Sequence, residues 1–332
     1  MKKFMNGADT FVAESLDGFV RAHDGLVMFG PDRKFIRRTH LKQGKVAVIS
    51  GGGAGHEPMH VGFVGHGMLD AACTGHVFTS PTPDQVLAAI EACDTGAGTL
   101  LVVKNYDGDV MNFEMAAELA QAGGRSVDMV FVNDDVATEA APRSTGRRGV
   151  AGTLVVEKII GAAAESGMPL EALKRLGEKT VAAIRSKGVA IGGATVPGGV
   201  SATFALGPDE MEMGVGIHGE PGRARSAFQN AETIAGLLAD DVIRALVAER
   251  GRDVLLFVNG FGSTPASELY LMYGAMRKRV EASDLVVARS LVGSYVTSLD
   301  MAGLSVTLAV LDATGCEFWD APVLTPSLRW GH

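Results

Sequence analysis

Three glycine-rich stretches of this sequence carry side chains able to move protons or act as nucleophiles. SGGGAGHEPMH (residues 50–60) holds His56 and His60. VKNYDGDVMNF (103–113) holds Lys104 and Asp109, and MEMGVGIHGEPG (211–222) sets His218 between Ile217 and Gly219. Glycines that follow a strand let backbone approach a ligand closely and turn N–H groups toward it. That makes Gly53, Ala54 and Gly55 a candidate cradle and His56 a ring whose nitrogen meets a ligand oxygen. Each stretch also has a plainer reading. His218 fits a strand-end turn in which the ring only satisfies backbone groups. DGD fits a surface turn with a solvated Lys104 and an Asp109 that caps a helix starting near Asn112. Together, two imidazoles, a carboxylate and a lysine on glycine-rich strand ends suit a small, polar, carbonyl-bearing substrate.

Competing chemistries match less well. A dinucleotide loop needs a third glycine where this chain has His56, and a phosphate loop needs a Gly-Lys-Ser/Thr that is absent. HEPMH spells the zinc-protease pattern, which requires both histidines on one helical face. Pro58 prefers the first helical turn and leaves His56 at or before the cap, so His60 reads as an ordinary packed or solvent-facing helix residue. No G-x-S-x-G elbow occurs.

The elements that must position these groups alternate short β-branched runs with longer helical patterns, the rhythm of α/β folds. Strands are predicted at 45–50, 99–104, 127–132, 210–217, 254–264 and 304–312. Helices are predicted at 82–94, 112–124, 153–167, 170–187, 230–250 and 267–283. The first three strands all run into polar ends, and ligands of parallel sheets bind beyond the carboxyl ends of strands. A chain of 332 residues suits two domains. The stretch at 192–210, rich in glycine with two prolines, marks a boundary. The expected fold is therefore two α/β domains, 1–190 and 191–332, with mainly parallel or mixed sheets flanked by helices and a site in the cleft between them.

With 47% hydrophobic and 20% charged residues the chain reads as globular, and its net charge of −8 argues against nucleic acid or an anionic membrane as partner. Three cysteines without a CxxC, and no signal or membrane-spanning segment in the sequence, point to a cytoplasmic protein.

Six blocks in order, GGGAGHEPMHVGFVGHGMLDAACTGHVFTSPTPDQV (51–86), VKNYDGDVMNFEMA, GRRGVAGT (146–153), MEMGVGIHGEPG, LVGSYVTSLDM (291–301) and LRWG, resemble the substrate-binding subunits of dihydroxyacetone kinases. The resemblance implies that His218 attacks the substrate ketone through Nε2 and holds it as a covalent hemiaminal. It implies that His56 and Asp109 act on the adduct oxygen and on the hydroxyl that receives phosphate. Gly53, Ala54, Gly55 and Lys104 are implied in holding the polyol, with Phe78 and Ser80 near the pocket. A neutral imidazole adds to a carbonyl carbon, whereas glycerol offers none. An N–H of His56 or Lys104 is a candidate donor to the developing alkoxide.

The same resemblance implies a phosphotransferase that works as a homodimer and has no cofactor or metal in this chain, nucleotide and Mg²⁺ being carried by a partner subunit. Ala54 stands where many relatives have serine and Asp107 where threonine is common, which leaves a tetrulose such as erythrulose as an alternative substrate. A ligand-sensing coactivator paralogue and an unrelated dehydrogenase or zinc enzyme are the other readings. EAAPRST (139–145) has no assigned role.

Overall fold

Near-continuous runs of Val, Ile, Leu and Ala with no polar alternation suit strands buried on both faces, and such runs build the first sheet. A computed structural model describes residues 2–138, 146–246 and 251–331. EAAPRST and the end of the predicted 230–250 helix lie outside the described residues.

The first sheet comprises β1 (Val27–Phe29), β2 (Ile36–Arg38), β3 (Ala47–Ala54), β4 (Ala71–Val77), β5 (Thr99–Lys104) and β6 (Val127–Val132), in the order β1-β2-β4-β3-β5-β6. β4, β3, β5 and β6 run parallel, and β1 and β2 add an antiparallel edge. After α1 (Phe11–Ala22), helices α2 (Pro83–Cys93) and α3 (Asp107–Ala122) cover one face over Ile49, Ile90, Leu101 and Phe113. α4 (Gly152–Glu165) and α5 (Leu170–Ala182) cover the other.

The second sheet comprises β7 (Ile184–Gly192), β8 (Glu210–Met213), β9 (Ala224–Ala227), β10 (Asp253–Gly260), β11 (Val286–Gly293) and β12 (Ala302–Val310), in the order β11-β10-β12-β7-β8-β9. Only β10 and β11 pair in parallel there. α6 (Ala231–Ala245) and α7 (Ala266–Glu281) pack on it around Leu238, Met276 and Val306. The chain closes with α8 (Ala313–Asp320) and the small pair β13 (Val323–Leu324) and β14 (Arg329–Trp330).

α4 joins the two halves. Its sequence GTLVVEKIIGAAAE is apolar nearly all round, and every residue from Gly152 to Ala164 is buried, as expected of a helix with no solvent face. One continuous core holds Leu100 and Val102 of the first sheet, Val155 and Ile159 of α4, and Leu255 and Phe257 of the second sheet. The two sheets are thus held against each other through a shared apolar layer.

Four sequence expectations change. The predicted helix at 170–187 stops at Ala182, because Ile184–Gly192 is a strand that fills the place between β12 and β8. That strand spans residue 190, where the sequence division was drawn. The glycines after residue 50 do not form a loop. Gly51 to Gly53 continue β3, pairing with Cys73 to Gly75 of β4, and a Cβ on Gly53 would strike Thr79 and Phe78. α3 begins at Asp107 rather than near Asn112, so Asp109 lies in its first turn, where a carboxylate meets the positive end of the helix dipole. The strand predicted at 210–217 ends at Met213, and Gly214 turns the chain at φ 74°. Among the described residues, no helix is long and apolar enough to cross a membrane. All three cysteines are free.

Candidate active site

His56 lies two residues past the end of β3 and its side chain is fully buried. Its Nδ1–H donates to the Thr297 carbonyl at 2.9 Å, which fixes the tautomer and leaves Nε2 as a bare acceptor with no partner. Burial, then the neighbouring His218 and the Lys104 cation, hold this imidazole well below its ordinary pKa. The His56 ring stacks on Phe78 with centroids 5.4 Å apart, and meets the edge of His218 at 4.8 Å. Phe78 is itself held at φ 55°, a left-handed conformation that costs a side-chain-bearing residue on the order of 1 kcal/mol or more.

His218 sits in the segment beyond β8. Its ring packs edge-on to Tyr106 at 4.2 Å and to Phe78 at 5.8 Å. Burial first, then the Lys104 and Arg148 charges, push its pKa down to about 3. The ring is therefore neutral throughout the physiological range, with a lone pair available for nucleophilic addition. The backbone beneath it is clamped: Glu220 Oε2 accepts the His218 N–H at 2.8 Å, while Glu220 Oε1 pairs with Arg148 at 2.8 Å. Arg148 also donates to the Gly214 carbonyl at 3.0 Å and pairs with Asp135 at 2.6 Å. Gly216 is a glycine because Glu220 and Arg148 occupy the space a Cβ would need. Gly216 therefore makes room for a half-buried ion pair beside the ring.

Asp109 and Lys104 meet at the carboxyl end of β5. Lys104 is fully buried and its ammonium donates to Asp109 Oδ2 at 3.0 Å, to the Gly51 carbonyl at 3.1 Å and to His60 Nε2 at 3.3 Å. All three of its N–H groups are thus used within the protein. The structure places neither Lys104 as a solvated surface residue nor its N–H groups toward a ligand. The N–H of His56 is likewise committed to Thr297, so neither donor expected for an alkoxide is free in this state.

Phe78, Ser80, Tyr106, Asp109, His218 and Glu220 line one cleft of about 310 Å³, at the small end of ligand pockets. Gly53 and Gly55 lie behind Phe78, and the Ala54 carbonyl accepts the Phe78 N–H at 2.9 Å. Asp109 and His218 line the cleft directly, while His56 reaches it only through its ring contacts with Phe78 and His218, and Lys104 through its bond to Asp109. His56 and His60 do not share a helix. Among the described residues, no group of three His, Cys, Asp or Glu side chains converges as a metal site.

The sequence reading makes His60 an ordinary packed or solvent-facing helix residue, whereas it is a buried residue that caps a short 3₁₀ turn, and Glu157 was not singled out. His60 is 4% exposed and its Nδ1 lies 2.6 Å from Glu157 Oε1, on α4, and 3.1 Å from Ser50 Oγ. Tyr106, Arg148, Glu220 and Thr297 were also unassigned. The one available signal was a lone glutamate in the apolar run of α4, since a buried acid needs a partner.

Burial pushes the Glu157 carboxyl up to about 8. Its folded value lies above the unfolded one, so between about pH 4.5 and 8 the native state holds a proton that the unfolded chain has released, and stability falls as pH rises. Asp135, raised to about 6 by burial, adds to the same slope. Glu157→Gln is expected to remove the Glu157 share. In urea melts, the loss of stability between pH 5.5 and 8 shrinks by roughly 2 kcal/mol or more relative to wild type. An unchanged slope would show the carboxyl to be ionised in the native state.

The Dak1 domain model matches residues 17–327. The chain is 48% identical to a protein of Listeria innocua named "PTS-dependent dihydroxyacetone kinase 1, dihydroxyacetone-binding subunit DhaK", over 94% of this chain and 95% of that one. It superposes on a solved "Dihydroxyacetone kinase operon co-activator Dha-DhaQ" with TM-score 0.91 at 32% identity, covering 96% and 98% of the two chains. It also superposes on the dihydroxyacetone kinase of C. freundii with TM-score 0.89 at 37% identity, covering 99% of this chain and 60% of that one. A family match across nearly the whole length, on a fold whose strand ends converge on one cleft, makes this chain a member of the Dak1 domain family.

Proposed function

We propose that this chain is the ketose-binding subunit of a dihydroxyacetone kinase. The observation that carries the reading is the cleft itself, lined by a His218 that is neutral over the physiological range and by the anchored carboxylate of Asp109, with the His56 ring, bare on Nε2, against that of His218. His218 Nε2 adds to the carbonyl carbon, the C=O π pair moves to oxygen, and the ring sheds its Nδ1 proton as the oxygen gains one. The product is a neutral hemiaminal. His56, bare on Nε2, is the base that takes up and returns the proton in this exchange. Asp109 then accepts the proton of a terminal hydroxyl as that oxygen attacks the terminal phosphorus of the nucleoside triphosphate presented by the partner subunit, and the diphosphate leaves, whether that nucleotide is recharged by ATP exchange or by a phosphocarrier protein. A substrate this small offers little surface to bury, so a reversible covalent bond supplies orientation that contact area does not.

Nucleotide and Mg²⁺ belong to a separate subunit in this reading. Its support is that the Listeria innocua relative, matched over 95% of its length, is named as a dihydroxyacetone-binding subunit, while a C. freundii kinase to which this chain is similar has been solved with AMP-PNP and Mg²⁺. The test is a coupled assay of ketose phosphate formation from dihydroxyacetone with Mg²⁺, run once with ATP and once with phosphoenolpyruvate and its phosphocarrier proteins, since relatives are named PTS- or PEP-dependent. The chain alone is expected to be silent and to turn over once a nucleotide-bearing kinase subunit is added, with glycerol inert in both cases. Turnover by the chain alone, or equal use of glycerol, would overturn the reading. A ketose sensor is the second reading, favoured by the likeness to the co-activator. It predicts capture of the ketose with no turnover whichever subunit is added.

A further inference from the structure

From the base of that scheme, Asp109, a line of buried polar groups runs inward through residues to which the scheme gives no role. It starts at Asp109 on α3, passes through Lys104 on β5 and His60 on the segment after β3, and ends at Glu157 in the apolar interior of α4. Lys104, His60 and Glu157 are at most 4% exposed. Groups this deep are costly unless each finds a partner.

The donor and acceptor inventory admits one arrangement around the ammonium. Lys104 has three N–H groups and no acceptor, and its three neighbours are the Gly51 carbonyl, Asp109 Oδ2 and His60 Nε2. His60 Nε2 must therefore carry the lone pair, which places the ring proton on Nδ1, 2.6 Å from Glu157 Oε1. Ser50 Oγ already donates to the Val102 carbonyl at 2.7 Å, so it cannot also give its proton to Nδ1. Burial and the Lys104 charge disfavour a second positive charge on His60, in keeping with a ring that stays neutral.

We propose that His60 is a positioning residue: oriented by Glu157, it takes the third N–H of Lys104 and so pins the ammonium against Asp109 Oδ2, leaving Oδ1 to face the substrate hydroxyl. The proposal rests on the ketose-kinase reading for its kinetic consequence, but not for its structural one. Without His60 Nε2, a buried cation keeps one N–H unsatisfied. Lys104 then loses its fixed orientation, and the carboxylate loses the positive charge held beside it. The other titratable groups that act on this point are His56 and His218 from the cleft side, both held neutral, and Glu157 behind His60.

The test compares wild type with His60→Leu, which removes the acceptor, and His60→Gln, whose amide oxygen can stand in for Nε2. In the isolated, ¹⁵N-labelled chain, His60 is expected to show the Nδ1–H tautomer from pH 5.5 to 8.5. Lys104 is expected to give a slowly exchanging ammonium signal that disappears in His60→Leu and persists in His60→Gln. In the coupled assay His60→Leu should lower kcat about tenfold at an unchanged KM, with the acid limb of its pH profile moved up by roughly half a unit. His60→Gln should restore the limb. His60→Asn, too short to reach Lys104, replaces the leucine variant if that one does not fold. An Nε2–H tautomer, a Lys104 signal indifferent to the leucine change, or a glutamine variant as impaired as the leucine one would overturn the proposal. Absence of turnover by the wild-type complex would instead defeat the kinase reading, and the ¹⁵N spectra would still decide the role of His60.

Discussion

His218→Ala is expected to abolish covalent capture of dihydroxyacetone and to lower kcat/KM by at least about 10⁴. The loss exceeds that of one ordinary contact because the bond itself holds the substrate. Removing it leaves a three-carbon polyol in a cleft of about 310 Å³, with too few contacts to fix its hydroxyl against a phosphate donor. Density from crystals soaked with dihydroxyacetone measures the effect directly. Wild type should show continuous density from the ring nitrogen to a tetrahedral carbon, and the alanine variant should not.

The electrostatics add a pH signature to that result. An imidazole of ordinary pKa loses its nucleophilic form below about pH 6.5. With its pKa at about 3 because of burial and of the Lys104 and Arg148 charges, His218 stays unprotonated far below that. Capture by the wild type should therefore be flat between pH 8 and 5. An intact planar ketone in the soaked crystals, or capture that falls away around pH 6.5, would show that His218 is not the nucleophile described here.

Asp109→Asn carries the second large effect. The amide keeps the shape of the carboxyl but cannot take the hydroxyl proton, and loss of a general base costs about 10²–10⁴ in rate. Capture should persist, because the bond to His218 forms without Asp109. The expected pattern is full adduct density with kcat down by at least a hundredfold in the presence of the nucleotide-bearing subunit. The same change leaves the buried Lys104 without its anion at 3.0 Å. Breaking a buried ion pair typically costs about 3–5 kcal/mol, so a clear drop in melting temperature should accompany the loss of rate. Turnover within threefold of wild type would remove Asp109 from the proton-transfer step.

Much of the architecture is legible along the chain because it rests on local pattern. TLLVVK and VDMVFV are short runs dominated by β-branched and other apolar residues and become β5 and β6 at the residues the pattern marks. SELYLMYGAMRKRVEAS carries helical spacing and becomes α7. β7 and β4 are different. IRSKGVAIG carries glycine and charge inside it and AACTGHV glycine, threonine and histidine, and they are strands because neighbours on both sides complete their hydrogen bonds. The glycines of β3 mislead for the same reason. Taken singly they suggest a loop, but paired with β4 they admit the backbone of Cys73, Phe78 and Thr79 closer than a side chain would allow.

The amino-acid sequence by itself determined which groups are chemically available: histidines, an aspartate and a lysine beside glycines, on an α/β chain whose ordered motifs resemble one family. Residue types and spacings are local, and local patterns survive without knowledge of partners. Only the tertiary structure decided which nitrogen of His56 is bare, that the Lys104 donors turn inward, and that Glu157, about a hundred residues from His60 along the chain, reaches its ring. Those outcomes depend on which atoms meet after folding has removed water. In that setting a proton's position is set by the neighbours that surround it rather than by the side chain that carries it.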